Sequence, residues 1–266
     1  MTTAQRRGRA ALGVAMGLVG IALAGATALI PAARSLASAT PAAGVAASPT
    51  AKSPDLQIVK ATVQYRRDLD LLVFDLQVAG AAGATTPTPR GALDGAPVLG
   101  YVVPTNLPPA AVGFTGADGI VALAVTAHPD FDDTPLWDEN HDGDFKDDGA
   151  LWHTHWVLVA PDDRVPGGLA VKAVAPTQES IFLPPTNPGL PLYLDSPGFP
   201  VQRDGDTLRV VVPASRVGGD ARFNFDAVSA YLQVNASDPT RPMLGVYDVY
   251  GILSGDLSLP YAVTQQ

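Results

Sequence analysis

A chain of 266 residues with 47% hydrophobic and 16% charged side chains is long enough for one large domain plus a leader, and too apolar to be intrinsically disordered. Its 26 Gly and 25 Pro argue against a helical bundle and for many short strands joined by turns. A net charge of −9 without a basic stripe argues against a nucleic-acid partner.

Residues 1–39 contain Arg6, Arg7, Arg9 and Arg34 and no acidic residue. Ala10 to Ile30 carries no charge, and Ala37-Ser38-Ala39 offers a small-x-small cleavage site. This is the order of a secretory signal peptide. The apolar stretch is also long enough to span a bilayer, so an uncleaved N-terminal anchor is the alternative. Its Ala and Gly make such an insertion weak. The expected location is therefore periplasmic or extracellular, with membrane attachment only if the leader is retained. Without 1–39 the chain holds 13 Lys+Arg against 26 Asp+Glu, a net charge of −13. That surface suits a divalent cation as partner, not phosphates or anionic lipid. Cys is absent, so the exported chain must be held by its core or by bound ions. Asn235-Ala236-Ser237 fits the glycosylation pattern.

Residues 40–54 are small, Pro-containing and aperiodic and read as a flexible linker; 55–266 reads as the folded domain. Strand-like runs rich in Val, Leu, Tyr and Ile fall at 56–65, 69–79, 98–104, 119–126, 151–160, 169–174, 179–183, 207–213, 228–235 and 243–253. Leu71-Leu72-Val73-Phe74 is continuously apolar, the pattern of a strand covered on both faces. Gly205-Asp206 reads as a turn feeding the strand at 207. Residues 80–97 and 184–200 are Gly/Pro-rich and read as long surface loops. About ten strands over roughly 200 residues predict an all-β fold, a single antiparallel β-sandwich or a distorted barrel.

One window, His128 to Trp156, concentrates the chemistry. It contains all four His (128, 141, 153, 155) and all three Trp (137, 152, 156), with nine acidic residues against one basic residue, Lys146. Its centre places Asp138, Asn140 and Asp142 at alternate positions, followed by Gly143 and Asp144. The pattern resembles the calcium loop of EF-hands and related DxDxDG proteins. A hard cation of this size wants six to eight oxygens, and short alternating carboxylates turn inward on a tight loop while Gly permits its bend. The resemblance implies side-chain oxygens from Asp138, Asn140 and Asp142 and a carbonyl or carboxylate oxygen from Asp144. Gly149 stands where an EF-hand has its bidentate Glu, so Asp148 or Asp147 has to close the shell. Pro135 and the strand-like run after the loop leave no flanking helices. Asp138, Asp142, Asp144, Asp147 and Asp148, with Glu139, repel one another without a counter-ion. The bland alternative is a solvated acidic turn.

Trp152-His153-Thr154-His155-Trp156 follows. On a strand His153 and His155 share one face, about 7 Å apart, and can grip one transition metal. The segment is similar to the His-x-His-Trp strand that supplies two zinc ligands in α-type carbonic anhydrases, and to the His-x-His strands of cupins. It departs from both: no downstream His and no Glu at cupin spacing provides the third ligand. That ligand has to be His128, His141 or an acidic loop residue. The alternative is that His153 and His155 only hydrogen-bond to the acidic loop. Trp152 and Trp156 read as core residues, or as a platform for sugar rings.

Nucleophile-elbow, phosphate-loop and dinucleotide motifs are absent. The sequence thus predicts an exported metal-binding β-sandwich module with a structural calcium ion. One alternative is a metal-dependent enzyme with zinc, copper or iron on His153 and His155. Another is a carbohydrate-binding module. Protein and glycan partners are not legible.

Overall fold

A computed structural model describes residues 53–88, 92–128, 143, 151–175 and 183–266. The leader (1–39), nearly all of the linker (40–54), the candidate strand at 179–183 apart from Leu183, and the acidic loop apart from Gly143 lie outside the described residues. Fourteen strands are described: β1 (Ile58–Arg66), β2 (Leu71–Val78), β3 (Pro97–Thr105), β4 (Ile120–Ala127), β5 (His153–Pro161), β6 (Leu169–Val171), β7 (Leu194–Asp195), β8 (Val201–Asp204), β9 (Thr207–Pro213), β10 (Asn224–Phe225), β11 (Val228–Val234), β12 (Leu244–Ile252), β13 (Tyr261–Ala262) and β14 (Thr264–Gln265).

The fold is all-β, as the turn-rich composition requires, and it combines the two predicted architectures. Strands β3, β4, β5, β6, β12 and β11 pair in that order, and β11 returns to β3 from Val228↔Val102 to Gln233↔Pro97, closing a six-stranded barrel. Against one wall of the barrel lies a sheet in the order β14-β1-β2-β9-β8. Its pairings are antiparallel except for β1 with β14.

Side-chain size follows from this arrangement. Six strands leave a narrow lumen, and the cluster contributed by all six is built largely of small residues: Ala96, Val98, Ala122, Ala124, Val157, Val171, Ala230 and Val246. The opposite faces of β3, β4, β5 and β11 carry Leu99, Tyr101, Leu123, Trp156 and Tyr231 into the second core, where they meet Leu72, Phe74 and Leu76 of β2 and Val210 of β9. Strands β3 and β4 are therefore covered on both faces and read as nearly unbroken apolar runs.

Three expectations need correction. Leu71–Phe74 is not covered on both faces: Leu72 and Phe74 are buried while Leu71 and Val73 are half-buried, because β2 belongs to the outer sheet and only one face meets the barrel. Residues 184–200 are not a surface excursion. Leu192, Tyr193, Leu194 and Phe199 are buried, and β7 pairs with β5 through Trp156↔Asp195 and Val157↔Leu194. Nor is 80–97 wholly superficial, since Ala82 and Ala96 are buried. In addition, Asn235 is buried, its Nδ2 donating to the Pro242 carbonyl at 2.8 Å, so the acceptor amide of the glycosylation tripeptide is not presented to solvent.

The start of β5 is pinned from behind. Trp152 is buried and packs on Tyr101 at 4.8 Å between ring centroids, and its Nε1 donates to the Gly83 carbonyl at 3.0 Å. The Tyr101 hydroxyl donates to the Asp55 carbonyl at 2.6 Å and accepts from the Gly83 N–H at 3.1 Å. Gly83 has φ 67°, and a Cβ there would lie 2.5 Å from Trp152 Nε1, so only glycine permits this approach. Tyr101→Phe removes both bonds and leaves the Gly83 N–H buried without its acceptor. A loss of about 2 kcal/mol in urea unfolding is expected.

Candidate metal centre

Strand pairing assembles the site. In the β4–β5 hairpin the register sets Thr126 opposite His153 and Ala124 opposite His155. Alternation then places Ala122, Ala124, Thr126 and His128 on one face of β4 with His153, His155 and Val157 on the matching face of β5. This is the face that carries the lumen cluster. His128, one residue past the end of β4, lands beside the pair. The three imidazoles are 2%, 5% and 3% exposed for His128, His153 and His155, and each offers a ligand nitrogen within 4.8 Å of the others.

The ring nitrogens converge on one point. His128 Nε2 lies 2.7 Å from His153 Nε2 and 3.2 Å from His155 Nε2. The outward nitrogens of His153 and His155 are engaged elsewhere. His153 Nδ1 donates to the Leu151 carbonyl at 2.7 Å. A carbonyl only accepts, so Nδ1 carries the proton and Nε2 of neutral His153 is a lone pair. His155 Nδ1 lies 2.9 Å from Ser196 Oγ, which can accept in the same way. Burial pushes the pKa of all three rings down, His153 to about 4 and His128 and His155 well below the usual value. For His128 and His155 the neighbouring rings add repulsion, which for His128 comes from both His153 and His155. Near neutral pH the cluster is thus three uncharged imidazoles.

What such a cluster can do follows from counting protons. One proton on His128 Nε2 serves the 2.7 Å contact with His153; it reaches the 3.2 Å contact with His155 only as a shared, bifurcated bond. A cation at the centre accepts all three lone pairs. Tetrahedral ligands at zinc's 2.0–2.1 Å from the ion stand about 3.3 Å apart, so the observed spacings need only a slight opening. Calcium prefers oxygen at longer range. His128, His153 and His155 could therefore bind a metal ion, and the nitrogen donors fit one of the transition series.

Around the triad the chain supplies a supporting shell. Ser196 follows β7, and Asp195 beside it is 1% exposed. Thr186 Oγ1 donates to one carboxylate oxygen of Asp195, and Arg216 approaches the other at 3.6 Å. Desolvation raises the Asp195 pKa, partly offset by these two partners. Arg216 also sits over the Phe199 ring at 5.5 Å. Arg216→Ala leaves the buried Asp195 carboxylate with Thr186 and the Ser196 N–H but without its cationic neighbour. Because Arg216 is 46% exposed, the expected loss is about 2 kcal/mol, below that of a fully buried pair. Adding Asp195→Asn should recover part of it in the unfolding midpoint.

Of the expected ligands, His153 and His155 are brought together with His128. Asp138, Asn140, Asp142, Asp144 and Asp148, like Asp147, Trp137 and His141, lie outside the described residues; Gly143 occupies a bend with φ 84°. Trp152 and Trp156 are core residues, 7% and 1% exposed, and form no sugar platform. Ser196 and Asp195 escaped the sequence reading, although Leu192-Tyr193-Leu194 within a Pro-rich stretch is an apolar run that signals burial. No family model, curated protein or solved structure matches the chain, and the reading of the site rests on its own residues.

Proposed function

We propose that the chain is an exported metal-binding β-barrel module whose His128, His153 and His155 hold one transition-metal ion, zinc in the first instance, through their Nε2 atoms. The convergence of three buried, uncharged imidazole nitrogens carries this reading. Copper and iron also accept imidazole ligands. Export rests on the leader's charge order. The 138–148 loop is proposed to take calcium in a structural role, on the spacing of its carboxylates; hard oxygen donors there and nitrogen donors at the triad would sort the two ions.

A second reading, a metal-dependent enzyme, is favoured by the ligand count. Three protein ligands leave a fourth tetrahedral position, the arrangement of catalytic zinc sites, whereas structural sites use four. A water there would be acidified toward neutrality and could serve as nucleophile.

Elemental analysis of protein purified without chelator or affinity metal tests both ions, with melting curves before and after EDTA and after each ion is restored. The expected result is one zinc, copper or iron and one calcium per chain, and a melting temperature that falls in EDTA and recovers as each ion is restored. At a thousandfold excess over Kd the recovery corresponds to about 4 kcal/mol. Calcium alone would overturn the triad reading and keep the loop. Absence of metal, with no EDTA effect, would overturn both.

A further inference from the structure

Beside His153 lies a cleft of about 410 Å³, lined by Leu151, Trp152, His153, Phe199, Val201 and Arg203 among others. Its volume is that of a small-molecule site, and its walls are mostly apolar with few polar groups, as such sites are. His153 belongs both to the triad and to this lining, so the cleft adjoins the metal centre. Leu151, at 46% exposure, is one of the few large apolar side chains left open to solvent among the described residues.

Arg203 is the charged member of the lining. It stands exposed on the edge strand β8, and no carboxylate pairs with it among the described residues. One guanidinium nitrogen donates to the Gly83 carbonyl at 3.0 Å, the same oxygen that accepts from Trp152 Nε1 at 3.0 Å. The aromatic wall and the cationic group are thereby fixed to a common point. On the other side Phe199 is held under Arg216. Three neutral imidazoles leave a bound divalent ion with its full charge, so the cleft adds a second positive centre to Arg203. The chain as a whole, at a net charge of −9, repels anions.

We propose that this cleft admits a small organic carboxylate with an apolar body, its carboxylate drawn by the triad's ion and by Arg203 and its body held by Leu151, Trp152 and Phe199. The inference rests on the three-histidine metal reading. Charge selects the headgroup and the walls select the tail.

The test uses the full chain loaded with cobalt(II), whose visible absorption reports its coordination. The protein is titrated with phenylacetate, acetate and uncharged phenylacetamide. Phenylacetate should shift the spectrum and bind at least about tenfold more tightly than acetate, and phenylacetamide should leave it unchanged. Arg203→Gln, on an exposed edge strand, should keep the starting spectrum and weaken phenylacetate by about tenfold. A normal cobalt spectrum that no carboxylate alters, or an Arg203→Gln protein that binds phenylacetate as the parent does, overturns the cleft inference and leaves the metal centre standing. Failure of the three-nitrogen cobalt spectrum to form is a different result, because it removes the metal reading itself.

Discussion

His155→Ala should reduce zinc affinity by at least about 100-fold and abolish the recovery of melting temperature on restoring zinc after EDTA. Disturbing residues that merely orient a ligand costs 10–100-fold in other metal sites, and removing the ligand itself has to exceed that. Three nitrogens become two, and the lost bond cannot be replaced from the described surroundings, where Ser196 Oγ faces the far nitrogen of His155 at 2.9 Å. His128→Ala should behave alike, although His128 lies outside β5 and 25 residues before His153 in the chain. That equivalence distinguishes a three-ligand centre from a His-x-His pair. Isothermal titration with zinc reads the effect, and circular dichroism checks the fold. His155→Gln, closer in volume, guards against a cavity effect. Parent-like zinc binding by either His variant would contradict the assignment.

Metal-free protein should lose stability on acidification well above the carboxylate range. The folded-state pKa of His153 is depressed to about 4 by burial, and His128 and His155 are lowered in the same direction. The unfolded chain therefore takes up protons first, near the ordinary value of about 6.5. Stability is complete above that pH and is lost as pH falls toward the folded pKa. His153 alone accounts for about 3 kcal/mol by pH 4, and for about 2 kcal/mol by pH 5, before most carboxylates titrate. Urea unfolding in EDTA at pH 8, 6 and 5 measures this, and His153→Gln should flatten the profile. A midpoint that does not change from pH 8 to 5 would show that the triad is not neutral and buried. Zinc should oppose the acid loss, since it binds the deprotonated rings of the folded state.

The sequence carried the strands with long apolar runs and not those without them. Each of the nine candidate runs that falls among the described residues contains a strand, because burial on one or both faces leaves a continuous or alternating pattern. β8 is not legible because Val201-Gln202-Arg203-Asp204 is a polar edge strand, paired among the described residues with β9 alone. Barrel closure was not legible either. It depends on β3 meeting β11 more than a hundred residues later, and pairing at that range leaves no local mark. The outer sheet against a barrel wall, rather than two equal sheets, escaped for the same reason.

The candidate metal centre was half legible. His153 and His155 announce themselves by their spacing on a strand. His128 was one of several candidates for a third ligand, and what selects it is the register Thr126↔His153, a property of the hairpin. The alternative, in which the pair only hydrogen-bonds to the acidic loop, falls on residues outside the described ones. In the structure the pair's ring nitrogens meet His128, the Leu151 carbonyl and Ser196. Ser196 arrives through β7, two residues long, inside a segment whose prolines suggested a surface loop.

X-ray absorption at the zinc edge of the zinc-loaded chain tests the central claim most directly. The account predicts one zinc per chain with three imidazole nitrogens and one oxygen ligand at about 2.0–2.1 Å, and loss of one imidazole in His128→Ala as in His155→Ala. A shell of oxygens alone, or an imidazole count that His128→Ala leaves untouched, would contradict it.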